Sequence, residues 1–162
     1  MTEPTPAPDT PEWDPLTLAV GRVIMEAATL EYWLGSLLIA LVGGKAEYIV
    51  QGQPVGVVVQ GIETLSAASN LPELLALTKQ AKPLFEKRDQ VAHSIWFLGA
   101  GEDKAHSVRP RRHGKLTYRV HTPATLLHLA DSIGKCSTLA RDTYDTYRPH
   151  ASTPSDSSSA RP

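Results

Sequence analysis

Residues 14–44 read "DPLTLAVGRVIMEAATLEYWLGSLLIALVGG". Asp14-Pro15 is an N-cap followed by Pro at the first helical position, where its missing N–H costs nothing. Leu16, Val20, Val23, Ala27, Leu30, Leu34, Leu37 and Leu41 then recur in alternating steps of four and three. That spacing places apolar side chains on one stripe of a helix. Gly43-Gly44 stops it, as glycine does just past a helix end. A stripe this long must be covered along its whole length. The covering elements are sought in the rest of the chain, and the stripe is read as core first and dimer interface second.

Downstream, "KAEYIV" and "VGVVVQGIETLSAAS" flank "GQP". The run "VGVVVQ" is β-branched and suits a strand, but Pro54 and the Ile62/Leu65 spacing favour a short or broken second helix. Asn70-Leu71-Pro72 opens a third element, with Leu74, Leu77, Ala81, Leu84, Val91 and Ile95 roughly in helical phase. Past Trp96 the pattern changes. "SIWFLG", "AHSVRPRR" and "KLTYRVH" are alternating or β-rich and are punctuated by Gly99, Gly101 and Gly114, which predicts a small antiparallel ribbon. Thr122-Pro123 begins a last helix carrying Leu126, Leu129, Ala130, Ile133, Ala140, Tyr144 and Tyr147, with Pro149 at its end. The expected fold is all-α in the main: an antiparallel bundle of four to five helices over residues 13–148, with a β-ribbon inserted before the last helix. Residues 1–12 and 149–162 have the Pro, Ser, Thr and acid-rich composition of disordered tails.

At 162 residues the chain has one domain's length, and its single Cys136 excludes an internal disulfide and any multi-cysteine zinc site. One cysteine and no basic start followed by an apolar run point to the cytoplasm. No apolar run reaches the roughly eighteen residues of a membrane span, and no membrane partner is expected.

Charge is segregated. Residues 1–78 carry two basic groups against nine acidic, whereas residues 79–121 carry ten basic against four acidic. An anionic partner is therefore expected at the middle of the chain. Within that block stands "EKRDQVAHSIW", residues 86–96. Arg88 and His93 are five residues apart, which on a regular helix separates their side chains by about 140°. Both can border one groove where the helix meets a neighbour. An arginine binds phosphate oxygens bidentately and keeps its charge. A histidine gives or takes a proton near neutral pH. Together they suffice for metal-free RNA cleavage, with Asp89 placed to orient either one by hydrogen bonding. The alternative is a polar helix end, with Lys87 and Arg88 complementing the dipole.

Arg, an acidic residue, a short spacer and His at a helix end, followed by a small residue and then Trp96, resembles the signature of the HEPN superfamily. The layout is also similar: a long first helix with "LEYWLGSLL" precedes and an amphipathic helix follows. The resemblance implies a homodimer of helical bundles, in which two copies of the motif meet to form one composite endoribonuclease site without a metal or cofactor. Arg88 would hold the scissile phosphate, His93 would be the general acid or base, and Asp89 would support them. It also implies roles in toxin–antitoxin systems or antiviral defence, with an antitoxin or regulatory protein as a possible partner. Some members have lost catalysis and only bind a protein or nucleotide, which is the alternative function. Two positions depart from the family pattern: Ser94 stands where glycine is frequent, and Ile95 where partner-modified toxins carry a tyrosine.

The ribbon's Arg109, Arg111, Arg112, Lys115 and Arg119 are candidates to hold RNA phosphates, with Tyr118 available for stacking. The competing reading is an ordinary solvated hairpin. His106, His113 and His121 lack ligand spacing, so no metal site is expected. Glu26 and Glu31, five residues apart, fall on different faces of the first helix. Whether Glu31 borders the groove opposite Arg88 is left open.

Overall fold

A computed structural model describes residues 14–43, 47–98, 104–110 and 115–148. The elements are α1 (Asp14–Val42), α2 (Glu47–Val50), α3 (Val55–Ser69), α4 (Pro72–Ala92), β1 (Ile95–Leu98), β2 (Ala105–Pro110), β3 (Leu116–His121) and α5 (Pro123–Tyr147). The chain is mainly helical, with the small antiparallel sheet standing before the last helix. The expected tails lie outside the described residues.

The four-three stripe of α1 is the spine of the core. Leu16, Val23, Ala27, Leu30, Leu34 and Leu37 are buried, and Val20 and Leu41 pack at its margin. Val42 ends the helix because Gly43 takes φ of 85°, a conformation that costs a side-chain-bearing residue about 1–2 kcal/mol. "VGVVVQ" is helical, and Val58, Val59 and Ile62 face inward from α3. Asn70 closes α3 in the left-handed region, and Pro72 sits in the first turn of α4. On α4 the buried set is Leu74, Leu77, Thr78, Ala81, Phe85, Gln90 and Val91. On α5, Thr122 caps the helix and shares reciprocal bonds with Thr125, while Leu126, Ala130, Ile133, Cys136 and Ala140 are buried. Burial pushes the Cys136 thiol up to about 11.

Four expectations need correction. The bundle is not antiparallel throughout. Arg22 pairs with Asp131 and Trp33 packs on Tyr144, so positions on α1 and α5 advance together and these two helices run parallel. Their contact is the most extensive in the molecule. By contrast, Glu63–Lys82 and Glu73–Tyr147 belong to antiparallel pairs, α3 with α4 and α4 with α5. The parallel α1–α5 pair breaks the up-and-down order. Second, Ile95 is not on the helix: α4 ends at Ala92, and Ile95 opens β1 with its side chain 58% exposed. Third, the buried Phe85 takes a place in the core that the phase assigned to Leu84, which only packs at its edge. Fourth, the span from Pro15 to Val42 is long and apolar enough to cross a membrane by length and composition. Its inner stripe is the bundle core.

The sheet has order β1-β2-β3. Trp96 faces Ser107 across β1 and β2, and Ala105 faces His121 across β2 and β3. These residues form the inward face. Trp96 Nε1 donates to the Val91 carbonyl at 3.1 Å, and the Trp96 and His121 rings pack with centroids 4.9 Å apart and planes tilted by 43°. Ser107 Oγ and His121 Nε2 are 2.8 Å apart. The sheet is thereby fastened to the last turn of α4. The opposite face presents Ile95, Phe97, Tyr118 and Val120 to the outside.

Candidate functional site

Arg88 points into the bundle. Its side chain is 18% exposed, and its guanidinium forms an ion pair with Glu31 of α1 and a second, at 3.2 Å, with Asp89. The guanidinium carbon lies 5.7 Å from the centre of the Phe85 ring. Arg88 Nε is buried without a partner. Glu31, left open by the sequence, is therefore the residue that holds Arg88, from 57 positions away. Two carboxylates around one guanidinium leave the cluster with a net negative formal charge.

His93 is the C-cap of α4. Its backbone N–H donates to the Asp89 carbonyl at 3.1 Å, with φ of −115° and ψ of 19°. Its side chain is exposed. Arg88 and His93 thus belong to one helix end but face different surroundings, as their angular separation dictates. Asp89 touches both, through its carboxylate to Arg88 and its carbonyl to His93. Ser94 Oγ reaches back to the Gln90 carbonyl, and the chain then turns into β1.

In the ribbon, Ser107 pairs with Arg119 and Arg109 with Thr117. Strand alternation therefore puts Arg109 and Arg119 on one face. Tyr118 stands on the other, with Val108 and Ile95. A single surface combining these arginines with stacking on Tyr118 is not built here. Lys115 is exposed just before β3. Arg111, Arg112 and His113 lie outside the described residues. Burial, then the nearby Arg119 charge, lowers the His121 pKa below the ordinary imidazole range. Among the described residues, no three His, Cys, Asp or Glu side chains gather as metal ligands do.

Fold and site together define a mainly helical bundle with a small sheet, carrying a half-buried Arg–carboxylate cluster beside an exposed helix-end histidine. In comparisons with known proteins no family model, no curated protein and no solved structure matches this chain.

Proposed function

We propose that this chain is a metal-independent endoribonuclease of the HEPN type, acting as a homodimer. The observation that carries the reading is the "RDQVAH" helix end, where Asp89 joins an arginine held by Glu31 to a solvent-facing histidine. His93 removes the proton from a ribose 2′-hydroxyl or donates one to the departing 5′-oxygen. The 2′-oxygen forms a bond to phosphorus, the bond from phosphorus to the 5′-oxygen breaks, and a 2′,3′-cyclic phosphate remains. Two copies of His93 in one cleft would supply both base and acid. Arg88, and the ribbon's Arg109, Lys115 and Arg119 with Arg111 and Arg112, would supply positive charge to the phosphates. A toxin or defence setting, an antitoxin or regulatory partner and a cytoplasmic site of action belong to the same proposal.

One observation favours the non-catalytic alternative, a protein- or nucleotide-binding module. Glu31 and Asp89 already compensate Arg88, so its charge is satisfied within the chain. The test is cleavage of total and transfer RNA in the presence of a chelator by wild type and by His93→Ala. His93 is exposed, so the substitution should move stability by no more than about 0.5 kcal/mol. Cleavage by wild type alone, leaving cyclic-phosphate ends, is the expected result. Equal cleavage by both proteins refutes the assignment of His93, and no cleavage by either transfers the reading to the binding module.

A further inference from the structure

On the side of α4 away from Arg88 lies a cavity of about 470 Å³ between α4, β3 and α5. Its α4 wall is the row Pro83, Glu86, Lys87 and Gln90, and its α5 wall is the row Thr125, His128, Leu129 and Ser132. Both rows follow the three-and-four step of a single helix face. β3 closes one end with Arg119, Val120 and His121. The volume falls within the range of small-molecule sites.

Gln90 is the unusual member. It is 8% exposed, and its Nε2 has no hydrogen-bond partner. Burying an amide donor without a partner costs stability, and such a group needs a specific reason. Lys87 and Arg119 also line the cavity and make no ion pair among the described residues. Ser132 Oγ is already spent on the His128 carbonyl, and Thr125 on the helix cap. His121 is committed to Ser107. The polar capacity left is therefore mainly donors: an ammonium, a guanidinium and an amide N–H, with the His128 imidazole, which can donate as well as accept, and Glu86 as the one carboxylate. A group with several acceptor oxygens and negative charge matches that set better than a carboxylate does. Between the donors, Val91, Leu126 and Leu129 offer an apolar surface.

We propose that this groove binds a small phosphomonoester with an apolar body, its phosphate on Lys87, Arg119 and the Gln90 amide and its body against Val91, Leu126 and Leu129. The site is separate from the ribonuclease reading and stands without it, because Gln90 follows Arg88 by two residues, about 200° around the helix.

Phenyl phosphate, inorganic phosphate, benzoate and a 5′-phosphorylated RNA oligomer are titrated into the full chain, following the side-chain amide resonances by ¹⁵N NMR. Phenyl phosphate should shift the Gln90 amide saturably and bind about tenfold more tightly than inorganic phosphate or benzoate. Lys87→Gln and Gln90→Met should each weaken it by about tenfold or more. Gln90→Met should at the same time raise Tm, since it removes an unpaired buried amide at similar volume. A merely structural glutamine would lower Tm when replaced. Three outcomes overturn the proposal: no saturable binding to wild type, binding indifferent to both substitutions, or benzoate bound as tightly as phenyl phosphate. Tighter binding of the oligomer assigns the groove to a nucleic-acid end and overturns the small-molecule assignment.

Discussion

Arg88 shows how far a single residue can be read. Its presence at a helix end was legible, but its partner was not. Glu31 lies 57 residues earlier and carries no local mark that distinguishes it from a solvated acid. Only the packing of α4 on α1 joins them. The pair has a measurable consequence. Glu31→Gln keeps the shape but removes the charge, leaving a guanidinium that is 18% exposed with Asp89 alone. A fully buried pair loses about 3–5 kcal/mol when broken, but Glu31 is 39% exposed, so about 1–2 kcal/mol is expected in urea unfolding. Adding Arg88→Met should recover most of that loss, because the mostly buried guanidinium is then gone and the Asp89 carboxylate it leaves behind is 41% exposed and can be solvated. If the single substitution is neutral, Asp89 suffices and Glu31 is an incidental neighbour.

His121 gives a prediction with a definite sign. Burial disfavours its charged form first, and the Arg119 charge adds to this, so its pKa in the folded chain lies below that of the unfolded chain. Between the two values the unfolded state holds more protons, and stability rises with pH. The contribution is complete above the ordinary imidazole value of about 6.5 and is lost as pH falls through the depressed one. His121→Gln retains an amide partner for Ser107 and cannot titrate. Thermal unfolding from pH 5 to 7.5 should therefore rise less steeply in the variant, and parallel curves would refute the assignment.

Helices were legible wherever one face carried the signal. The stripe of α1 alternates four and three without a break, and Thr122-Pro123 marks the start of α5. The same signal failed at the end of α4. Ile95 fits the helical phase, but periodicity cannot see that the backbone has become a strand, and its side chain then faces out. Gln90 was invisible for a related reason. The row Glu86, Lys87 and Gln90 reads as a solvent face, and only the arrival of α5 and β3 turns it into a wall. The cap of α5 is testable at this scale. Thr122 Oγ1 accepts from the Thr125 N–H at 3.1 Å, and Thr125 Oγ1 accepts from the Thr122 N–H at 2.9 Å. Thr122→Ala leaves the Thr125 N–H without its side-chain acceptor, while the Thr122 N–H keeps Thr125 Oγ1, and should cost about 1 kcal/mol; Thr122→Asp should cost less than half of that. Equal losses would mean that the Thr122 side chain contributes by packing instead.

At the scale of the whole molecule, the proposed composite site requires two copies, and among the described residues two apolar surfaces face outward. One is on α1, where Leu18, Met25 and Tyr32 recur every seven residues and are 74%, 73% and 64% exposed. The other is the outer face of the sheet, where Phe97 is 52% and Tyr118 67% exposed. Arg88 is held in its own chain by Glu31 and Asp89, so the exposed histidines must approach each other if they share one cleft. His93 precedes Ile95 of the sheet's outer face by two residues, about 7 Å of chain. A dimer formed through that face brings the two histidines together, whereas one formed along α1 does not use His93. Phe97→Lys should therefore yield monomers in sedimentation equilibrium and lose cleavage, with thermal stability of the monomer changed little because the side chain is not part of the core. Met25→Lys should leave both association and cleavage in place. If Met25→Lys splits the dimer and Phe97→Lys does not, the copies meet along α1, and a site shared through His93 is wrong even if the protein is dimeric. A wild type that remains monomeric at micromolar concentration, yet still cleaves RNA, would confine the chemistry to one chain and demand a second proton-transfer group near His93.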